Sequence, residues 1–150
     1  MTSIVASLLL LFLGAPKESA FKFVNPDGLA KSPRYSHVAE VTRGRLILIS
    51  GQVAQDANGN LVGAGDMAAQ TRQVFGNLKI ALAASGASNK DVVKLTTFIV
   101  DISKNIDAYR QVRQEYLRGI TEPPTSTTVG VPALVRGDYL LEVEAIAVVP

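Results

Sequence analysis

Apolar and polar positions change period several times along the chain, and each change marks an element. FKFV (Phe21–Val24) predicts a short strand that Asn25-Pro26-Asp27-Gly28 stops. YSHVAEV (Tyr35–Val41) and RLILIS (Arg45–Ser50) predict two strands joined as a hairpin through Thr42-Arg43-Gly44. Asp56-Ala57-Asn58-Gly59 predicts a turn, because Asn-Gly tolerates the left-handed backbone that tight turns demand. The period then becomes helical: Met67, Thr71, Val74, Phe75, Leu78 and Leu82 fall on one face. Asp66 stands where a carboxylate accepts from the free N–H groups of the first turn, and Gly86 where a helix stops. KLTTFIV (Lys94–Val100) predicts a strand. A second helix follows, capped by Ser103 or Asn105, with an apolar stripe of Ile106, Tyr109, Val112, Tyr116 and Leu117. Pro123-Pro124 forces extended backbone, and Ser126–Val131 and Tyr139–Val149 close the chain as strands.

No linker or repeat interrupts this order, which predicts one α+β domain over residues 21–150. Its mixed sheet has five to six strands, with two helices on one face. RLILIS and LLEVEAIAV carry apolar residues on both alternating faces, the mark of strands covered on both sides. Two helices cover one side only. A second copy of the same sheet is the economical cover for the other, so a homo-oligomer with sheets facing inward is expected.

Residues 1–20 form an apolar leader. Ile4 to Leu13 is too short for a bilayer span, which needs about 20 residues, but it suits the core of a signal peptide. The preceding Met-Thr-Ser carries no Lys or Arg, and the candidate cleavage sites end at Ala15 and Ala20. A processed leader implies a periplasmic or secreted protein, an unprocessed one a cytoplasmic protein.

Composition narrows the chemistry. The 150 residues carry a net charge of +2, no cysteine and one histidine. Thiol nucleophiles, disulfides, iron–sulfur clusters and zinc sites are thereby excluded. The basic residues are dispersed, without the basic stripe and interleaved aromatics of a nucleic-acid surface. Catalysis, if present, rests on carboxylates, hydroxyls, backbone groups, guanidinium or water.

Gly63-Ala64-Gly65-Asp66-Met67-Ala68 matches G-x-G-x-x-A, but a strand stub precedes it and Asp66 would repel a pyrophosphate, so it reads as a lead-in to a helix. His37 beside Tyr35 is either a structural strand histidine or a member of a triad whose partners spacing cannot supply. Glu142 and Glu144 share a face with Leu140, Ile146 and Val148. A carboxylate among apolar side chains is either hydrogen-bonded at a sheet edge or poised to hold water or ligand at a subunit boundary. Ser126-Thr127-Thr128 supplies hydroxyls and amides for a small polar ligand.

Several segments then fall in a telling order: Tyr35-Ser36-His37, Ile49-Ser50-Gly51-Gln52, Gln70-Thr71-Arg72-Gln73-Val74, Asn77, Gly86-Ala87-Ser88, Asp91-Val92-Val93-Lys94 and Glu142-Val143-Glu144-Ala145-Ile146-Ala147. Together they resemble the RidA family (reactive intermediate deaminase, also YjgF or L-PSP endoribonuclease), over about residues 21 to 149. The resemblance implies a chorismate-mutase-like α+β fold, a homotrimer, and a small-molecule cleft between subunits. It implies hydrolytic deamination of imines or enamines such as 2-aminoacrylate, without metal or cofactor. Glu142 would hold the water, Tyr35 would wall the cleft, and Ser126, Thr127, Thr128 and Asn105 would bind substrate. Where deaminating members carry an arginine that clamps the substrate carboxylate, this chain has Ser126. The lost charge-assisted pair is worth roughly 1.5–3 kcal/mol, or one to two orders of magnitude in affinity, so 2-aminoacrylate is not the expected substrate unless Arg34 or Arg136 substitutes. A non-catalytic ligand-binding or chaperone-like homologue is the alternative, and an endoribonuclease, lacking a basic groove here, the second.

Overall fold

The computed structural model describes residues 19–150, so the leader lies outside the described residues as far as position 18. Six strands and two long helices follow one another: β1 (Phe21–Val24), β2 (Val38–Val41), β3 (Arg45–Gln52), α1 (Met67–Ala84), β4 (Val92–Val100), α2 (Ile102–Tyr116), β5 (Thr125–Val131) and β6 (Leu141–Val149). A 3-10 turn at Asn89–Asp91 precedes β4. β3, β6, β4 and β5 form one sheet in that order. β6 runs antiparallel to both neighbours, whereas β4 and β5 are parallel, joined by α2 as a crossover.

Alternation along the central strands sorts the core. Ile47, Ile49, Leu95, Ile99, Leu141, Val143, Ala145 and Ala147 turn to one side, where they pack with Val74, Leu78 and Leu82 of α1 and Tyr109, Val112 and Tyr116 of α2. Asp66 caps α1 as expected, its Oδ1 accepting from Ala69 N at 3.0 Å. At the far end Gly86 is left-handed (φ 70°), donating to Ala83 O while Ala87 N donates to Leu82 O. That pair satisfies two carbonyls that the last helical turn leaves free.

Three expectations are corrected. The six strands do not share one sheet: β1 and β2 form a separate two-stranded ribbon. Consequently β2 and β3 are not a hairpin. Gly44, at φ 100° and with a would-be Cβ 2.5 Å from Val149 O, redirects the chain so that β2 pairs with β1 and β3 with β6. Neither Ser103 nor Asn105 caps α2. Asp101 occupies that position in left-handed backbone (φ 46°) without a side-chain cap, and Asn105 lies buried in the next turn, its Nδ2 donating to Val100 O at 2.8 Å. Just ahead of β1, one residue joins the packing of the ribbon end. Ala20 is buried against Val93 and Val148, and its carbonyl accepts from Thr42 N (3.0 Å) and Arg43 N (3.4 Å).

One polar side chain does much to place β6. Gln70, fully buried on α1, donates from Nε2 to Gly63 O (3.2 Å) and Asp138 O (2.9 Å) and accepts at Oε1 from Leu140 N (2.8 Å). Its amide thus ties the helix start to the loop that feeds β6. Gln70→Leu keeps the volume but orphans these backbone groups, and is expected to lower unfolding free energy by at least about 2 kcal/mol in urea titrations; an unchanged midpoint would contradict the assigned role.

Candidate functional site

Residues opposite one another in a ladder share a face, so register places each candidate side chain. Phe98 opposes both Glu142 and Val129, and Thr96 opposes both Glu144 and Thr127. Glu142, Glu144 and Thr127 therefore belong to the face without helices. Leu95 opposes Ser126 and Thr97 opposes Thr128, which puts Ser126 and Thr128 on the helix side of β5. Within one chain the candidates divide between the two faces of the sheet.

The face without helices is only partly covered. The β1–β2 ribbon shelters its Val148 end, with Phe21 and Ala39 packed there. On the edge strand β3, Leu46, opposite Val148, is 57% and Leu48 71% exposed. A shallow depression of about 290 Å³ lies among Leu48, Ser50, Lys94, Thr96, Glu144 and Ile146. Lys94 Nζ donates to Thr127 Oγ1 at 2.6 Å, which occupies that hydroxyl. Glu142 is half-buried, and its carboxylate lies against Gly51: a Cβ at that position would fall on Glu142 Oε1. Gly51 thus makes the room that the acid occupies. Its tetrapeptide stands in the sequence, but the contact depends on a register shift between Ile49 and Gln52 that the alternation does not reveal.

On the helix side, the Tyr109 hydroxyl hydrogen-bonds Thr97 Oγ1 at 2.8 Å with Thr128 beside it, and burial pushes its pKa up. Tyr35 reaches this neighbourhood through its own backbone. Ser36 is buried, Oγ donating to Pro123 O (2.7 Å) and N to Pro124 O (3.4 Å), which pins the Tyr35 segment where β5 begins. His37 meets Tyr35 edge-on at 5.3 Å and hydrogen-bonds Ala30 O through Nε2 at 2.9 Å, the structural role of the two considered. Asn105 stands apart, its amide engaged by Val100 at the far end of β4 from the strand pair holding Ser126. Of the two arginines considered as substitutes, Arg136 is paired with Asp138 (2.7 Å) and lies over the Tyr139 ring, whereas Arg34 lines a groove beside α2. That groove, of about 860 Å³, also takes in Arg113, a buried residue outside the apolar stripe of α2.

Comparison with known proteins adds a family. A family model described as Endoribonuclease L-PSP matches residues 27–149. Protein DfrA of Myxococcus xanthus is 38% identical over 134 residues, spanning 88% of this chain and 98% of the relative. The 3-aminoacrylate deaminase RutC of Acinetobacter baylyi is 34% identical over 132 residues, spanning 88% of this chain and 98% of its own. The crystal structure of YyfB from Yersinia pestis, a Rid-family protein of unknown function, superposes with a TM-score of 0.79 at 38% identity, covering 87% of this chain and all of that one.

Gly51→Ala tests the assigned contact. The chain is expected to fold with stability changed by no more than about 1 kcal/mol, while a crystal structure of the variant shows the Glu142 carboxylate moved off β3. An unmoved carboxylate would refute the steric assignment.

Proposed function

Because this chain belongs to the endoribonuclease L-PSP family, the family of RidA and YjgF, we propose that it hydrolyses a small imine or enamine in a cleft completed by a second copy of itself. One observation carries the reading: Glu142 and the hydroxyls of Ser126 and Thr128 lie on opposite faces of one sheet, so they can meet only across a boundary between chains. The exposed Leu46 and Leu48 supply the reason for chains to associate, since burying such side chains contributes about 25 cal/mol per Å². A closed homotrimer satisfies both requirements. The relative that acts on 3-aminoacrylate supports the substrate class, because an enamine is the tautomer of an imine.

The chemistry needs an acid–base group and a held water. An enamine first takes a proton on carbon to become the iminium, the protonated imine. Glu142 then accepts a proton as its water attacks the iminium carbon, forming the C–O bond while the C=N π pair moves onto nitrogen. Glu142 returns that proton to nitrogen and takes the hydroxyl proton as the C–N bond breaks, releasing ammonia and leaving the carbonyl product. Such general base catalysis contributes typically 10²–10⁴-fold. Tyr35 walls the cleft and hydrogen-bonds the substrate, and the hydroxyl and amide groups of Ser126 and Thr128 hold its polar end. With Ser126 in the clamping position, 2-aminoacrylate is not the preferred substrate. Use of the same cleft for ligand binding without turnover is the competing reading.

Two measurements test this. Ammonia release from imines and enamines generated in situ by an amino-acid oxidase is expected to be accelerated by the wild-type chain and to fall at least a hundredfold in Glu142→Gln. No acceleration for any substrate, with a small metabolite bound tightly, would favour the binding protein. Light scattering is expected to return a trimer for the wild type and smaller species for Leu48→Lys; a wild-type monomer would remove the cleft.

A further inference from the structure

Arg113 is not explained by the amphipathic pattern of α2. It is only 8% exposed, yet its Nε and Nη2 have no hydrogen-bond partner among the described residues. Apart from burial, the groups acting on it are the Tyr109 hydroxyl, which hydrogen-bonds it and favours its charged form, and a second guanidinium, that of Arg34, which opposes it. A buried cation beside another cation is destabilising unless something supplies the missing negative charge. Burial accordingly pushes its pKa below the usual arginine value, with Arg34 adding to the effect.

Its position can be read from the elements around it. Tyr109 meets Thr97 and Thr128. α2 runs back along the parallel β4–β5 pair, so Arg113, one turn beyond Tyr109, has advanced about 6 Å toward the start of β5. Two residues of strand cover nearly the same length, about 6.6 Å. The next pair in that direction on the same face is Leu95 and Ser126. Arg113 is therefore level with Leu95 and Ser126 along the strands, and it lines a groove where Arg34, Arg110, Arg113 and Arg118 outnumber a single carboxylate, Glu115. The two unpartnered atoms are also the right pair: Nε and Nη2 present parallel N–H bonds on one edge of the guanidinium, the geometry that grips a carboxylate with two hydrogen bonds.

We propose that Arg113 anchors the carboxylate of a small imino or enamino acid, reaching from α2 to the place that Ser126 leaves without a positive charge on β5, with Arg34 at the groove mouth. The proposal rests on the deaminase reading for its substrate class, and on the geometry alone for the anchor.

2-Oxobutanoate, a stable carbonyl counterpart of such a substrate, is titrated calorimetrically into the full chain. Arg113→Met keeps volume and removes the buried charge; Arg113→Lys keeps the charge and removes the fork. The Met variant is expected to melt no lower than wild type while binding ten- to a hundredfold more weakly, with the Lys variant between them. In turnover, KM for a carboxylated imine should rise by the same factor, and that for an imine without a carboxylate should stay put. Undiminished binding by either variant, or no binding of 2-oxobutanoate by wild type, overturns the anchor. Arg113-dependent binding without ammonia release from any imine leaves the anchor and removes the deaminase. Ammonia release with KM unchanged in the Met variant does the reverse.

Discussion

The structure depends on a sheet whose central strand, β6, carries apolar side chains on both faces while the described residues supply helices for only one. The helix side closes into a core through Leu141, Val143, Ala145 and Ala147. The opposite side is closed where the ribbon and Ala20 bury Val148 and Val93, and open along β3, where Leu46, the cross-strand partner of Val148, and Leu48 stand in solvent. The position of the candidate acid follows from the same alternation. Glu142 sits between Leu141 and Val143, so it must point away from the core, to the uncovered side.

The α+β, chorismate-mutase-like fold expected from the resemblance is the one found, and much of it was legible because the residues involved act locally. Asp66 and Gly86 delimit α1 by cap chemistry within a few positions, and Asn58-Gly59 makes its turn, with Asp56 Oδ1 accepting from Asn58 N and Asn60 N at 2.9 Å. That network, led by Asn60, also holds the Asp56 carboxyl below its usual pKa. The apolar stripe of α1 is buried where the period put it, as are Tyr109, Val112 and Tyr116 of α2, with Ile106 and Leu117 half-buried against the same core. What escaped is long-range. Gln70 and Asp138 are 68 residues apart and meet through one side-chain amide. β2 pairs with β1 rather than β3, with Gly44 packed closely on Val149 between them, an approach that no local pattern encodes.

The candidate site was legible in kind more than in place. Alternation correctly set Glu142 and Glu144 on one face, and the hydroxyl run at Ser126–Thr128 is where β5 begins. Alternation also splits that run, turning Thr127 toward Lys94 and Thr128 toward Tyr109, a division a tripeptide read as one feature conceals. Arg113 was missed because a charged residue beside an apolar stripe ordinarily reaches solvent. Only its burial, beside a groove that Pro33, Arg34 and Pro123 also line, shows it enclosed.

The contact between Gly51 and Glu142 makes the identities of two residues 91 positions apart interdependent. Any side chain at 51 competes for the volume the carboxylate fills, so neither site can drift independently. An aspartate at 142, one methylene shorter, would free space for an alanine at 51 while withdrawing the acid toward its own strand. Length at one position is thus exchangeable for bulk at the other, and the depth of the acid relative to the sheet is set jointly by both.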